Sequence, residues 1–147
     1  MTKDIKQNYP AYKEEALRAW FGMWLTADRT GIEELFASDA VYIESWGPRY
    51  AGLKRICQWF DEWNCRGKVR VWDIKDFYHK GDRTVVEWYF ACVMNDGGED
   101  CFEGMTVAEW RDGKICYLRE YGSNTDNYDP YAVSGEPVFK DEKIKWF

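Results

Sequence analysis

The chain has very little histidine, since His79 is the only one among its 147 residues. It precedes Lys80-Gly81-Asp82, a turn sequence at the end of a predicted strand, so we expect it at the surface. A site built on an imidazole base or metal ligand is therefore not expected. Ser45, Ser123 and Cys92 lack a base at any predicted position nearby, which disfavours nucleophilic catalysis.

The sequence also lacks a long apolar run and a basic cluster. No stretch approaches the ~20 apolar residues of a membrane span, and the first ten residues lack the apolar core of a signal peptide. The net charge is -6, with Lys and Arg scattered among Asp and Glu, which disfavours binding to nucleic acid. We expect one cytoplasmic domain with neither a membrane nor a nucleic-acid partner.

Metal and nucleotide motifs are missing as well. The five cysteines show no C-x-x-C spacing, so neither a disulfide framework nor a zinc site is predicted. No G-x-G-x-x-G or P-loop pattern occurs. We expect free thiols, no metal and no cofactor.

Aromatic residues are abundant instead: nine Trp, ten Tyr and eight Phe. Each buries a large apolar area, and Trp and Tyr also offer a polar N–H or O–H. This composition suits a ligand cavity and an aromatic core equally, so both interpretations stay open.

Apolar spacing predicts helices before most of the strands. A helix with an aromatic stripe is predicted over Tyr12–Ala27. Thr30 and Glu33 form a capping-box pattern that would open a short second helix. A strand over Ala40–Ser45 and a third helix after Gly52 follow.

The rest of the predicted domain is a strand meander. Its four strands are Val69–Tyr78, Arg83–Met94, Phe102–Trp110 and Lys114–Ser123. Asp112-Gly113 predicts a two-residue hairpin turn. We predict an α+β fold, in which a twisted antiparallel sheet curls around the N-terminal helices and leaves a cone open at one end.

The two-residue strand period places a carboxylate, Glu120, on an apolar sheet face. The residues expected to share this inner face are Trp88, Phe90, Ala108, Trp110 and Leu118. The opposite, outer face is also too apolar for free solvation. That outer set is Val85, Tyr89, Val93, Met105, Val107, Ile115, Tyr117 and Tyr121.

Three segments carry a family resemblance: FASDAVYIESWGPRYAG, GDRTVVEWYF and DGKICYLREYGS. In their order and spacing, from about Tyr12 to Ser123, they resemble the nuclear transport factor 2-like superfamily, particularly its SnoaL-like branch. That superfamily includes ketosteroid isomerase, polyketide cyclases, limonene epoxide hydrolase and noncatalytic binding domains. The resemblance implies a conical α+β barrel of cystatin-like type, an apolar pocket, and a homodimer formed through the outer sheet face.

The resemblance to limonene epoxide hydrolase also implies candidate catalytic residues. Its water-holding Tyr, Asn and Asp fall on Tyr42, Glu44 and Glu120. Its Arg and second Asp fall on Trp88 and Phe90, so epoxide hydrolysis is not expected. Two coupled glutamates would raise the pKa of one of them and allow acid/base chemistry of the isomerase, cyclase or dehydratase type. A noncatalytic ligand-binding or association module remains the alternative.

The expected partner in the pocket is a small hydrophobic molecule. Trp46, beside Gly47-Pro48, is predicted to lie in a loop at the pocket rim. The predicted ligand contacts are Trp20, Trp24, Trp46, Trp59, Trp63, Trp88, Phe90, Thr106, Trp110 and Leu118. Residues 1–123 are predicted to form the domain, and residues 124–147 an extension that packs on the domain or on a partner subunit.

Overall fold

A computed structural model describes residues 9–140. Its helices are α1 (Pro10–Thr26), α2 (Ile32–Leu35) and α3 (Leu53–Arg66). Its strands are β1 (Phe36–Ile43), β2 (Arg49–Ala51), β3 (Gly67–Lys80), β4 (Arg83–Met94), β5 (Glu99–Arg111) and β6 (Lys114–Ser123). The predicted α+β class is confirmed, and the order of elements is as predicted except for the short strand β2, which was not predicted.

The six strands form one curved sheet in the order β2-β1-β6-β5-β4-β3. Strands β3 to β6 form the predicted antiparallel meander. The sheet as a whole is mixed, because β1 pairs with β6 in parallel. It is also open rather than closed into a barrel, since β2 and β3 stand at opposite edges. Helix α3 carries the chain from β2 at one edge of the sheet to β3 at the opposite edge. The meander then runs back across the sheet, so β6 lies beside β1.

The alternation predicted for β6 is interrupted near its start. Trp110 pairs with Ile115, whereas Glu109 pairs with Tyr117, so Cys116 lies in a β-bulge. An extra residue in one strand shifts the alternation, so the side chains on one side of the bulge point to the opposite face of the sheet from the one predicted. Ile115 is therefore fully buried, and its predicted place on the outer face is wrong.

Local turn chemistry was predicted with mixed success. Asp112 and Gly113 both adopt positive φ (52° and 76°), which matches the predicted hairpin turn. The predicted capping box of Thr30 is wrong, because Gly31 occupies the N-cap position of α2 at φ 88° and no side chain caps this helix. Thr30 instead bonds through its amide and hydroxyl to the carboxylate of Asp28, at 2.9 and 2.7 Å.

The core lies between the helices and the inner face of the sheet. Helix α1 packs mainly on β3, and α3 packs on β1. The side chains that α1 buries are Lys13, Ala16, Leu17, Trp20, Phe21 and Trp24. Helix α3 buries Ile56 and Phe60. Within residues 9–140, none of the helices has both the length and the apolarity that crossing a bilayer requires.

Residues 124–140 contain no helix or strand. Tyr131, Val133 and Phe139 are 57%, 88% and 69% exposed. Within this segment the Val138 amide donates a hydrogen bond to the Pro130 carbonyl at 2.8 Å. The domain boundary at 123 and the docking of the extension stay predictions. Residues 141–147, with Trp146, lie outside the described residues.

Gly104 on β5 is required by close packing, which makes it a test of the fold. A β-carbon at this position would meet the Tyr121 carbonyl and lie 2.7 Å from the Trp88 ring. We expect Gly104→Ala to lower the free energy of unfolding by about 1–3 kcal/mol, because the backbone oxygen and the packed indole cannot both move.

Gly22→Ala in α1 is the matched control, since nothing lies within 4 Å of its β-carbon position. It should stabilise the protein by up to about 1 kcal/mol through helix propensity. Urea unfolding of both variants measures the difference. Equal effects of the two substitutions would contradict the packing described for β5.

Candidate functional site

A cavity of about 510 Å³ lies between the helices and the inner face of the sheet. Aromatic and acidic side chains make up most of its wall. The lining residues are Trp24, Glu44, Ser45, Trp46, Trp59, Trp63, Trp72, Trp88, Phe90, Cys92, Met94, Asp100, Cys101, Phe102, Glu120, Gly122, Ser123 and Asn124. The exposed residues among them, including Ser45, Trp46 and Ser123, mark the rim.

The parallel pairing of β1 with β6 brings Tyr42 and Glu120 together. Tyr42 lies opposite Leu118 in the register, two residues before Glu120. The Tyr42 hydroxyl donates a short hydrogen bond to Oε1 of Glu120. The Trp20 indole donates in turn to the Tyr42 oxygen at 3.4 Å. The three side chains form a buried chain of hydrogen bonds that ends at the pocket wall.

Burial controls the charge of Glu120. The residue is 8% exposed, and burial raises the pKa of its carboxyl to about 8. The hydrogen bond from Tyr42 opposes this rise, and the negative charge of Glu44 adds to it. Below pH 8 the carboxyl of Glu120 therefore keeps its proton and can donate it.

Glu44 lies nearer the rim and has a different environment. The Tyr50 hydroxyl donates to Oε2 of Glu44 at 2.9 Å, and Trp46 adds a second hydrogen bond. Burial raises the pKa of Glu44, while these hydrogen bonds and the charge of Arg66 lower it. Donors around Glu44 favour its ionised form, whereas the deeper Glu120 is held neutral.

Indole rings form a continuous wall around the cavity. Ring centroids of Trp24 and Trp59 lie 4.9 Å apart, Trp24 and Trp63 5.5 Å, and Trp72 and Trp88 5.7 Å. The indole N–H groups of Trp24 and Trp72 have no acceptor among the described residues. Both rings stand edge-to-face against neighbouring rings.

Six of the ten predicted ligand contacts lie in this wall: Trp24, Trp46, Trp59, Trp63, Trp88 and Phe90. The other four are packed in the core, so they do not line the cavity: Trp20, Thr106, Trp110 and Leu118. Their polar atoms bond to other buried groups, as Thr106 accepts from the Trp88 indole at 2.8 Å and Trp110 donates to Thr84 at 3.0 Å. The cavity covers only part of the inner face of the sheet. Core side chains pack against the rest of that face.

Sequence reasoning missed several lining residues, chiefly Trp72 and Phe102. Both lie directly opposite Phe90, Trp72 across β3–β4 and Phe102 across β4–β5. Directly opposed residues point to the same face of a sheet. Strand register, had it been assigned, would have placed both on the inner wall.

His79 lies outside the lining of the cavity. Its ring nitrogens bond to Glu14 at 2.8 Å and to Thr84 at 3.0 Å, and it is partly buried rather than freely exposed. In the part of the chain that the structure describes, no group of three His, Cys, Asp or Glu side chains is placed to hold a metal ion.

A sequence profile of the SnoaL-like domain matches residues 17–118. No curated protein matches the chain. An LEH-like epoxide hydrolase from M. tuberculosis is 19% identical, with TM-score 0.69 over 77% of this chain and 84% of its own. A candidate isomerase from Bacillus subtilis is 19% identical, with TM-score 0.68 over 83% and 90%.

A third similar structure is a hypothetical protein from Catenulispora acidiphila, with a ketosteroid isomerase-like fold and in complex with trimethylamine. It is 20% identical, with TM-score 0.66 over 76% of this chain and 86% of its own. At this level of identity the three structures establish a shared fold.

The raised pKa of Glu120 predicts a pH-dependent stability. An unfolded glutamate loses its proton near pH 4.5 and the folded one near pH 8, so folding takes up a proton between these values. The stabilising contribution of the neutral carboxyl is complete below pH 4.5 and falls by up to about 1.4 kcal/mol per pH unit until pH 8. Glu120→Gln, which stays neutral and still accepts from Tyr42, should lack this decline.

Urea unfolding of both proteins across this pH range measures the effect. Glu34→Gln on the exposed face of α2 is the control and should keep the wild-type slope. Parallel pH profiles for the wild type and Glu120→Gln would show that Glu120 is not held neutral by the fold.

Proposed function

The chain belongs to the SnoaL-like domain family, and we propose that its cavity binds a small, largely apolar molecule on which Glu120 acts as an acid. The observation that carries the proposal is the carboxyl of Glu120, buried in an aromatic wall with a pKa of about 8. A neutral carboxyl that faces a cavity is a proton donor at physiological pH. That similar folds include a complex with a small organic molecule agrees with such a cavity.

Glu44 is the proposed second partner. Its hydrogen bond from Tyr50 favours the carboxylate, so Glu44 accepts a proton while Glu120 donates one. Two carboxyl groups with unlike environments suit proton addition and removal next to a carbonyl. The reaction class is therefore isomerisation, cyclisation or dehydration, with Tyr42 holding Glu120 in place. Trp88 and Phe90 occupy the positions of an epoxide-protonating pair, so we do not propose epoxide hydrolysis.

Noncatalytic binding is the second candidate function. The hydroxyl of Tyr42 is already engaged by Trp20 and Glu120, as it would be in a purely structural network. In that case the aromatic wall would retain a ligand without changing it.

Glu120→Gln separates the two functions. The purified protein is analysed by native mass spectrometry for a bound small molecule, and then incubated with a metabolite extract whose components are followed by mass spectrometry. For a catalytic role, we expect conversion of the bound compound to fall by about 10²-fold or more, because general-acid catalysis contributes at this level. Retention of the compound should change little, because Gln preserves the packing.

The matched control is again Glu34→Gln, which should leave both binding and conversion unchanged. Equal conversion by the wild type and Glu120→Gln would end the catalytic proposal and favour the noncatalytic module. A purified protein that holds no small molecule and changes none in the extract would overturn the pocket proposal itself.

We also propose a cytoplasmic homodimer formed through the outer face of the sheet. Support comes from apolar side chains there that the single chain leaves open, since Met105 is 41% and Tyr121 50% exposed. Neighbouring Val85, Val107 and Tyr117 on that face are half-buried. A surface of this kind is typical of a protein interface.

Met105→Glu tests the interface. Light scattering on a sizing column should give the mass of two chains for the wild type and a shift towards one chain for the variant, because a charge is buried without a partner. Leu25→Glu on α1, at a site 39% exposed, is the control and should stay dimeric. A monomeric wild type would exclude the dimer.

A further inference from the structure

The charged groups that line the cavity share one sign. Among the residues described, Glu44, Asp100 and Glu120 contribute carboxyl groups to the wall, and no Lys, Arg or His does. Arg66 is near enough to affect Glu44, but its guanidinium is held by Glu62 at 2.5 and 3.0 Å on the exposed side of α3. Because burial holds Glu120 neutral, the negative potential of the wall comes from Glu44 and Asp100, and no basic side chain lines the cavity among the described residues.

The uncharged part of the wall is dominated by tryptophan. Six of its members are indoles: Trp24, Trp46, Trp59, Trp63, Trp72 and Trp88. The face of an indole carries the strongest negative potential among the aromatic side chains, and it attracts a cation that lies within about 6 Å of the ring centroid. Because neighbouring centroids in this wall are 4.9 to 6.3 Å apart, a cation that lies against one ring is also close to a second.

We propose that the ligand of this cavity carries a tertiary or quaternary ammonium group, held by the indole faces and by the carboxyl group of Glu44. This inference rests on the proposed ligand-binding function and names the chemical class of the ligand. A volume of about 510 Å³ accommodates such a group with a further apolar portion.

Other ligand charges fit the wall less well. An anion would be repelled by the acidic groups of Glu44 and Asp100, with no lining cation among the described residues to offset the repulsion. A neutral aromatic molecule would stack on the indoles but would leave Glu44 without a counter-charge. A primary ammonium or a metal ion is strongly hydrated and needs several oxygen ligands in place of its water. An alkylated ammonium is weakly hydrated, so aromatic faces can replace its solvation.

The environment of Glu44 agrees with this assignment. Burial raises the pKa of its carboxyl, because burial disfavours the charged form. A bound cation would favour the charged form and lower this pKa.

Isothermal titration calorimetry with three probes tests the charge of the ligand directly, because the probes share a para-substituted phenol and differ in the charge of the substituent. They are 4-hydroxyphenyltrimethylammonium, its uncharged isostere 4-tert-butylphenol, and the anion 4-hydroxybenzenesulfonate. We expect the cation to bind at least about tenfold more tightly than the isostere, as cation–π contacts in a desolvated site allow. The sulfonate should not bind.

Glu44→Gln supplies the matched variant, because Gln keeps the hydrogen bond from Tyr50 without the charge. It should weaken binding of the cation severalfold and leave 4-tert-butylphenol unchanged. Asp100→Asn at the exposed rim is a second variant with the same expected direction, in case the first disturbs folding. Glu34→Gln should change neither affinity.

Binding of 4-tert-butylphenol as tight as that of the cation would overturn the assignment of charge and leave the proposed apolar pocket standing. Failure of all three probes to bind at millimolar concentration would overturn it too. The proposed function is judged separately, by the copurified molecule and its conversion.

Discussion

The structure depends above all on the burial of one carboxyl group. Glu120 lies in an aromatic wall, and its only described hydrogen bond comes from Tyr42. A charged carboxylate at this depth would be costly, so the fold keeps the group neutral. The Tyr42 hydroxyl on the adjacent strand bonds to this buried carboxyl, and the Trp20 indole lies behind it. These hydrogen bonds tie the environment of Glu120 to the pairing of β1 with β6.

The second feature that the fold creates is the contrast between two glutamates. Glu44 is near the rim and receives hydrogen bonds from Tyr50 and Trp46, while Glu120 is deeper and receives one from Tyr42. The same residue type thus meets two different environments within a single cavity. In the proposed function such a pair would supply what a histidine supplies elsewhere, a donor and an acceptor of protons.

Much of the fold could be predicted because its signals are local. Alternation along β4 and β5 places Trp88, Phe90 and Trp110 on the inner face, where the structure has them. Ile115 was misplaced because the bulge at Cys116 has no signature in the alternation itself. The cap of α2 was misplaced because a backbone turn at Gly31 replaced a side-chain cap. In both cases a local backbone conformation changed the outcome that the residue pattern alone predicts.

The sequence by itself determined the class of fold, the order of its elements, the hairpin at Asp112-Gly113 and the inward facing of Glu120. Each follows from the spacing of residue types over short stretches of the chain, and that spacing is present in the sequence before any tertiary contact forms. Only the tertiary structure decided that Tyr42 bonds to Glu120, that Trp72 and Phe102 line the cavity, and that Trp20 and Leu118 belong to the core. These outcomes depend on strand register and on how deeply the helices fill the curved sheet, and both are set by contacts between residues far apart in the chain.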